Sequence, residues 1–399
     1  MATSIDNYFD HEHNRFNTHA AKFKSEYLLE IFGTTNLYPF WIADQDFKCP
    51  PPILHALHNR VDEGIFGYEC RADDYKSIQA NWYQRRYSCT IKPEWINTIP
   101  TIMTGMAMVL DLFTTKTGKV IKQPPVYKEF ENTIHKTGRT TVNNPLKIVD
   151  LRYEMDLENL EKKVSNNVIE AIIICNPHNP VGRVWTPLEL QKIVSICLAN
   201  NVLVISDEIH ADIVFTGSEF TSMLSFPEIH DQLIVLYSPS KLFNIASICD
   251  AICIIPNPQK RVQFENLQNR YNLGRPNAFT QVATTVGYSK CDDWINGLNQ
   301  YLEDNVSLIS YYLKNEIPEL KLIKQDGTFL IWVDITELKI CSTLLIKRLA
   351  KEAKIGVSDG MIFGEKGQQF IRMNISCTRK TIQEALTNLK KYVKKHHRI

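Results

Sequence analysis

Net charge is the first thing this sequence lacks. Its 399 residues carry 45 Lys and Arg against 44 Asp and Glu, a formal charge of +1. That balance gives no electrostatic reason to expect nucleic acid or an anionic membrane as partner. Long apolar runs are missing too, and none reaches the roughly 18 residues that a membrane-spanning helix requires. The N-terminus, Met1-Ala2-Thr3-Ser4-Ile5-Asp6, has neither the charged nor the apolar region of a signal peptide. Ten cysteines are present without a CxxC pair. Several of them, including Cys175, Cys197 and Cys253, sit inside apolar runs and read as reduced thiols of a cytoplasmic protein. No Cys/His cluster has zinc-ligand spacing, and the pairs His11/His13 and His396/His397 near the termini are not read as metal sites. Internal repeats, low-complexity tracts and obvious linkers are also lacking.

The chain is too long for one core of the usual size, which predicts two domains. Its middle alternates strand and helix patterns, the signature of a mostly parallel sheet covered by helices on both faces. Strands are expected at 171–175, 202–206 and 233–237, with others at 120–122 and 251–255. The clearest helix follows the first of these strands. Thr186-Pro187-Leu188-Glu189 is a capping box with proline at the first helical position. Leu190, Ile193, Val194, Cys197 and Leu198 then recur on one face. After about residue 285 the texture turns helix-rich. Helices near 292–315 and 379–395 and strands at 330–334 and 370–374 predict a smaller α+β domain. The first 50 residues are expected to pack against it. The expected division is a large domain over 51–285 and a small one built from 1–50 and 286–399.

Three apolar runs lead into polar residues of a particular kind. Ala171–Cys175 runs into Asn176-Pro177-His178-Asn179-Pro180-Val181-Gly182. Val202–Ser206 runs into Asp207-Glu208-Ile209-His210. Leu233–Tyr237 runs into Ser238-Pro239-Ser240-Lys241. Ligands of open α/β sheets bind outside the carboxyl ends of strands. Those ends would offer an Asn, an Asp and a Lys. Pyridoxal phosphate needs such a set: a lysine for a Schiff base, an acid for its pyridine nitrogen, and donors for its phenolic oxygen and phosphate. Each residue also has a plainer reading: a surface lysine, a helix-capping Asp207, a turn-forming Asn179, a packing His210 or Tyr127. Arg372, flanked by apolar residues in a strand, could pair with an internal acid or with a substrate carboxylate. Glu208, beside Asp207, is assigned a structural or surface role.

The order of Asn179-Pro180-Val181-Gly182, Asp207-Glu208-Ile209-His210, Ser238-Pro239-Ser240-Lys241 and Arg372 resembles the aspartate-aminotransferase fold of class I/II aminotransferases, over nearly the whole chain. Trp41–Phe47, Gly64-Ile65-Phe66-Gly67-Tyr68 and Asn176–Pro180 resemble its cystathionine β-lyase and cysteine-S-conjugate β-lyase branch. The resemblance implies an α/β fold, a large domain with a mostly parallel sheet plus a smaller α+β domain. It implies pyridoxal 5′-phosphate as cofactor and α,β-elimination of cysteine thioethers, with an aminotransferase as the alternative and a non-catalytic binding role as a third reading. Lys241 would carry the cofactor, Asp207 would pair with its ring nitrogen, Asn179 and His210 with its phenolic oxygen, and Tyr127 would stack on its ring and assist proton transfer. Ser238, Ser240 and the amides of Ile102 and Met103 would hold the phosphate, joined by Tyr68 from a neighbouring subunit in a homodimer. Arg372, helped by the turn Gly327-Thr328-Phe329, would bind the substrate α-carboxylate. One departure stands out: Leu242–Ile255 contains no arginine, where many members have one for the phosphate. The turn Thr101–Thr104 is also less glycine-rich than the pattern suggests.

Overall fold

A computed structural model describes residues 8–166 and 168–396 of the chain. Met1–Asp6 and His397, on which two of the readings above fall, lie outside the described residues. Seven strands form the larger sheet, in the spatial order Ile96–Ile99, Ala251–Ile254, Leu233–Tyr237, Leu203–Asp207, Ile169–Cys175, Lys119–Lys122, Thr140–Asn143. The last five run parallel to one another, while Ala251–Ile254 is antiparallel to both of its neighbours. The central strands are apolar along their length because both sheet faces are covered. Alternation along one strand shows this directly. Ile172 and Ile174 pack with Leu190, Ile193, Val194 and Cys197 of the helix Pro187–Ala199. Ala171, Ile173 and Cys175 point the other way, into a core with Met106, Val109, Phe130 and Ile134. Both halves of the Thr186 capping box form as the sequence predicts.

Register decides where the site lies. Cys175 pairs with Asp207, and Asp207 pairs with Leu236. Three strands therefore end at one level, and the polar segments after Cys175, Ser206 and Tyr237 emerge together. A second sheet has the order Tyr38–Phe40, Ile355–Asp359, Phe370–Asn374, Leu330–Asp334, Lys321–Leu322. The N-terminal segment joins it through the parallel pairing of Tyr38–Phe40 with Ile355, Gly356 and Val357. The long helix Asp292–Glu316 and the helix Arg379–His396 pack together beside it. Residue 285 lies inside a continuous helix, Ala278–Lys290, which packs on the helices Pro51–Asp62 and Tyr75–Tyr87. Among the described residues no helix is long and apolar enough to cross a membrane. All ten cysteines are free thiols.

Candidate active site

A cavity of about 490 Å³ opens at the aligned strand ends, between the two sheets. Lys241, Asp207, Asn179, His210, Tyr127, Ser238, Ser240, Ile102, Met103 and Arg372 all line it. The turn Gly327-Thr328-Phe329, expected beside the substrate carboxylate, does not line it, and neither does Tyr68. Tyr68 is 94% exposed, with the Arg275 guanidinium 5.3 Å from its ring centroid.

Lys241 follows the strand Leu233–Tyr237, and its Nζ donates to Ala43 O at 2.5 Å. Its loop is clamped from the N-terminal segment. Gln45 Nε2 donates to Lys241 O (2.7 Å) and Leu242 O (3.0 Å), and Asn244 Nδ2 donates to Gln45 O (3.0 Å) and Phe47 O (2.7 Å). Burial lowers the lysine's pKa; Asp44 opposes that shift and Arg372 reinforces it. The shift is toward the neutral amine, the form that can act as nucleophile and base.

Asp207 is 4% exposed, and burial pushes its carboxyl up to about 7. It accepts one hydrogen bond, from Ile209 N at 3.1 Å. His210 is driven down to about 3 by burial, with Lys241 and Arg372 adding to the effect, so its ring is neutral. Its Nδ1 is buried without a protein partner. The Asn179 turn is held by Gly182, whose φ of +68° suits glycine; a Cβ there would lie 2.9 Å from Gly327 O.

Arg372 is 5% exposed and has no carboxylate within ion-pair distance among the described residues. It donates to Trp41 O (2.6 Å), Asn179 Oδ1 (3.2 Å) and Ser358 Oγ (3.2 Å), and its Nε is buried without a partner. The internal salt bridge considered from the sequence is therefore not made. Because the Asn179 oxygen is engaged by Arg372, its amide nitrogen is the end left for an acceptor in the cavity.

Ile102 and Met103 open the helix Ile102–Phe113, where the sequence reading had placed a turn. Thr101 caps it by accepting from Thr104 N. Their N–H groups are thus among the first of a helix, which lack intrahelical partners and favour an anion. Gly105 lets this helix approach the sheet, since a Cβ there would lie 2.2 Å from Ile99 Cδ1. Ser238 is less free than expected. Its hydroxyl donates to Asp250 O (3.1 Å) and accepts from Ser240 N (3.2 Å).

These residues fit pyridoxal phosphate on grounds internal to the structure. The cavity holds a buried acid without a cation, a buried amine, two unpartnered ring or guanidinium nitrogens and a helix N-terminus. Glu208 behaves differently. It is fully buried and accepts from Met223 N, Ser222 Oγ, Ser206 Oγ and Tyr83 Oη, which settles its role as structural. Sequence reasoning missed Lys128, Cys249, Ser358, Ile362 and Phe363, which also line the cavity. Cys249 lies in the stretch already noted for having no arginine; the others carried no local signal.

Comparison with known proteins agrees with the geometry. The family model for aminotransferase class I and II matches residues 68–389. The chain is 36% identical to cystathionine beta-lyase PatB of Bacillus subtilis (strain 168), covering 96% of this chain and 98% of that protein. Cystalysin from Treponema denticola, solved with a pyridoxal 5′-phosphate cofactor, superposes with a TM-score of 0.92 at 30% identity, over 97% of this chain and 98% of that one. The pyridoxal-phosphate-bound C-S lyase from Staphylococcus hominis gives 0.89 at 30% identity, over 96% and 97%.

Proposed function

The chain belongs to the aminotransferase class I and II family and is a pyridoxal-phosphate-dependent carbon–sulfur β-lyase; we propose that it carries out α,β-elimination on cysteine thioethers, with Lys241 and Arg372 as the residues that act on substrate. The observation that carries these assignments is the pairing, in one cavity, of a buried lysine with a buried arginine that has no acid of its own among the described residues.

When bound, pyridoxal phosphate supplies a conjugated ring that accepts the electrons of a broken Cα–H bond. Lys241 would anchor it through Nζ. Asp207 would face its ring nitrogen, the Asn179 amide and His210 its phenolic oxygen, and the amides of Ile102 and Met103, with Ser240 and Ser238, its phosphate. Arg372 takes the substrate α-carboxylate as a planar bidentate fork, which fixes the Cα–H bond beside Lys241. Nζ, as a free amine, would then take the Cα proton. Burial raises the Tyr127 phenol to about 12, so at neutral pH it keeps its proton and serves as a donor beside the leaving sulfur. The carbon–sulfur bond breaks with its electron pair on sulfur. Because thiols have pKa values near 8.5, the thiolate leaves without a strong acid. The three-carbon fragment departs as 2-aminoacrylate and hydrolyses to pyruvate and ammonia.

The test is turnover of a cysteine thioether with no keto acid present. Thiol, pyruvate and ammonia are expected in equal amounts over many cycles, with borohydride fixing the cofactor on Lys241. One turnover followed by arrest, relieved by a keto acid, would make the enzyme an aminotransferase. Label on another lysine would overturn the Lys241 assignment.

The reading extends to assembly and location. The exposed run Ile65, Phe66 and Tyr68 supports a homodimer in which Tyr68 reaches the partner's phosphate. Mixing inactive Lys241→Ala with an inactive Tyr68→Ala variant should then restore activity in hybrid dimers; no recovery after verified subunit exchange would refute the shared site. Ten free thiols and the sequence pattern support a cytoplasmic enzyme. We divide the chain into 51–285, with the larger sheet, and 1–50 with 286–399.

A further inference from the structure

Four charged side chains line the cavity: Lys241, Asp207, Arg372 and Lys128. The first three have tasks in the reaction. Lys128 has none, yet it stands directly after Tyr127, as the first residue of the helix Lys128–Lys136. Its side chain is 51% exposed, which places it at the rim rather than the floor.

The neighbouring rim belongs to the smaller sheet's side of the molecule. Val126 N donates to Phe363 O at 3.0 Å, drawing the turn Gly360–Phe363 against the segment that carries Tyr127 and Lys128. Ile362 and Phe363 of that turn line the cavity, and Ile362 is 42% exposed at its mouth. The Arg372 guanidinium lies 4.8 Å from the Phe363 ring centroid. An amino acid whose α-carboxylate is on Arg372 would therefore pass its sulfur substituent along an apolar wall toward a rim that ends in one ammonium group.

Lys128 and Glu129 are the charged neighbours at that rim. The acid nearest Lys128 is Glu129, at a loose 3.9 Å; it does not line the cavity and it accepts from Asn132 Nδ2 at 3.1 Å. Among the described residues Asp207 is the sole acid of the cavity wall, and it sits at the sheet end. Glu129 acts on Tyr127 from outside the wall, whereas Lys128 is itself part of the wall, so an anionic group inside the mouth meets the ammonium directly.

We propose that Lys128 is a specificity residue that pairs with an anionic group at the far end of the substrate's sulfur substituent. The favoured substrates are cysteine thioethers with a short apolar spacer ending in a carboxylate or sulfonate. An added ammonium on that tail, as in cystathionine, weakens the preference. This rests on the lyase reading and adds to it a class of substrate.

The experiment compares holoenzyme kcat/KM for S-(2-carboxyethyl)cysteine, S-propylcysteine and cystathionine, in wild type, Lys128→Met and Lys128→Glu. The carboxylate-tailed compound should be the best of the three in wild type. Lys128→Met should lower the carboxyethyl-to-propyl ratio by ~5-fold, the size of an exposed ion pair, and Lys128→Glu should invert it. The wild-type preference should shrink as salt rises, because an exposed pair is screened. A structural role would lower all substrates together and leave the ratio alone. A ratio unmoved by either variant, with elimination intact, overturns this inference and spares the lyase reading. Failure of wild type to eliminate any of the three overturns both.

Discussion

Asp207 and Glu208 are adjacent carboxylates at the end of one strand, both buried and both pushed up to about 7 by burial. Successive residues of an extended chain point to opposite sides, and here the two sides are different places. Glu208 faces a closed polar cluster. Four donors meet it, and close by Asp212 accepts from Tyr237 Oη (2.6 Å), Trp82 Nε1 (3.1 Å) and Tyr87 Oη. Asp207 faces the cavity and accepts one backbone N–H. Burial and perturbed acidity do not tell structure from chemistry in this pair. The number of protein partners does, because a buried polar group left short of partners costs free energy unless something else binds it.

Two buried arginines repeat the contrast and offer the larger test of it. Arg183, 3% exposed, is paired with Asp326 Oδ2 at 3.0 Å and Glu189 Oε2 at 3.0 Å. Arg372, 5% exposed, has only neutral oxygens around it. Arg372→Ala should lower kcat/KM by the ~2–5 kcal/mol that a lost charged contact is worth, roughly 30-fold or more. Its melting temperature should hold or rise, since an unpaired buried charge is removed. Arg183→Ala should do the reverse. It breaks both ion pairs, leaving Asp326 with Arg152 at 2.8 Å and Glu189 with Thr186, for a loss of about 2 kcal/mol of stability, while activity per folded molecule stays near wild type. Matched losses of stability in both variants would erase the distinction.

The same contrast explains what the sequence could reveal. The strand ends at Cys175, Asp207 and Tyr237 were legible because central strands buried on both faces are continuous apolar runs, and their polar successors stand out. The helix Pro187–Ala199 was legible from its cap and its one-sided face. The helix Ile102–Phe113 was not, because its buried face and its glycine obscure a 3.6-residue period; a turn was read in its place. Lys128, Ile362 and Phe363 were invisible for another reason. They meet through the Val126–Phe363 backbone bond between segments more than 230 residues apart, and nothing local encodes that closure. Glu208 reads from the sequence as structural or surface, and only its four donors decide between those.

The last contrast separates the two acids by pH. A carboxyl whose folded pKa lies above its ordinary value binds protons more tightly folded than unfolded. The stability it contributes is therefore full below pH ~4 and is lost as pH rises through about 7. Each of Asp207 and Glu208 could contribute at most ~4 kcal/mol to that fall, and less after relaxation. Cofactor-free protein should accordingly lose urea midpoint between pH 5 and pH 8. Asp207→Asn and Glu208→Gln should each flatten the slope, because each removes one proton-linked group. Adding pyridoxal phosphate should distinguish them. A cationic ring nitrogen opposite Asp207 would lower its pKa and remove its share of the slope, leaving that of Glu208. In holoenzyme, then, Glu208→Gln should still flatten the profile and Asp207→Asn should no longer do so. If both variants flatten the holoenzyme profile equally, Asp207 has no cofactor charge facing it, and the two acids are alike after all.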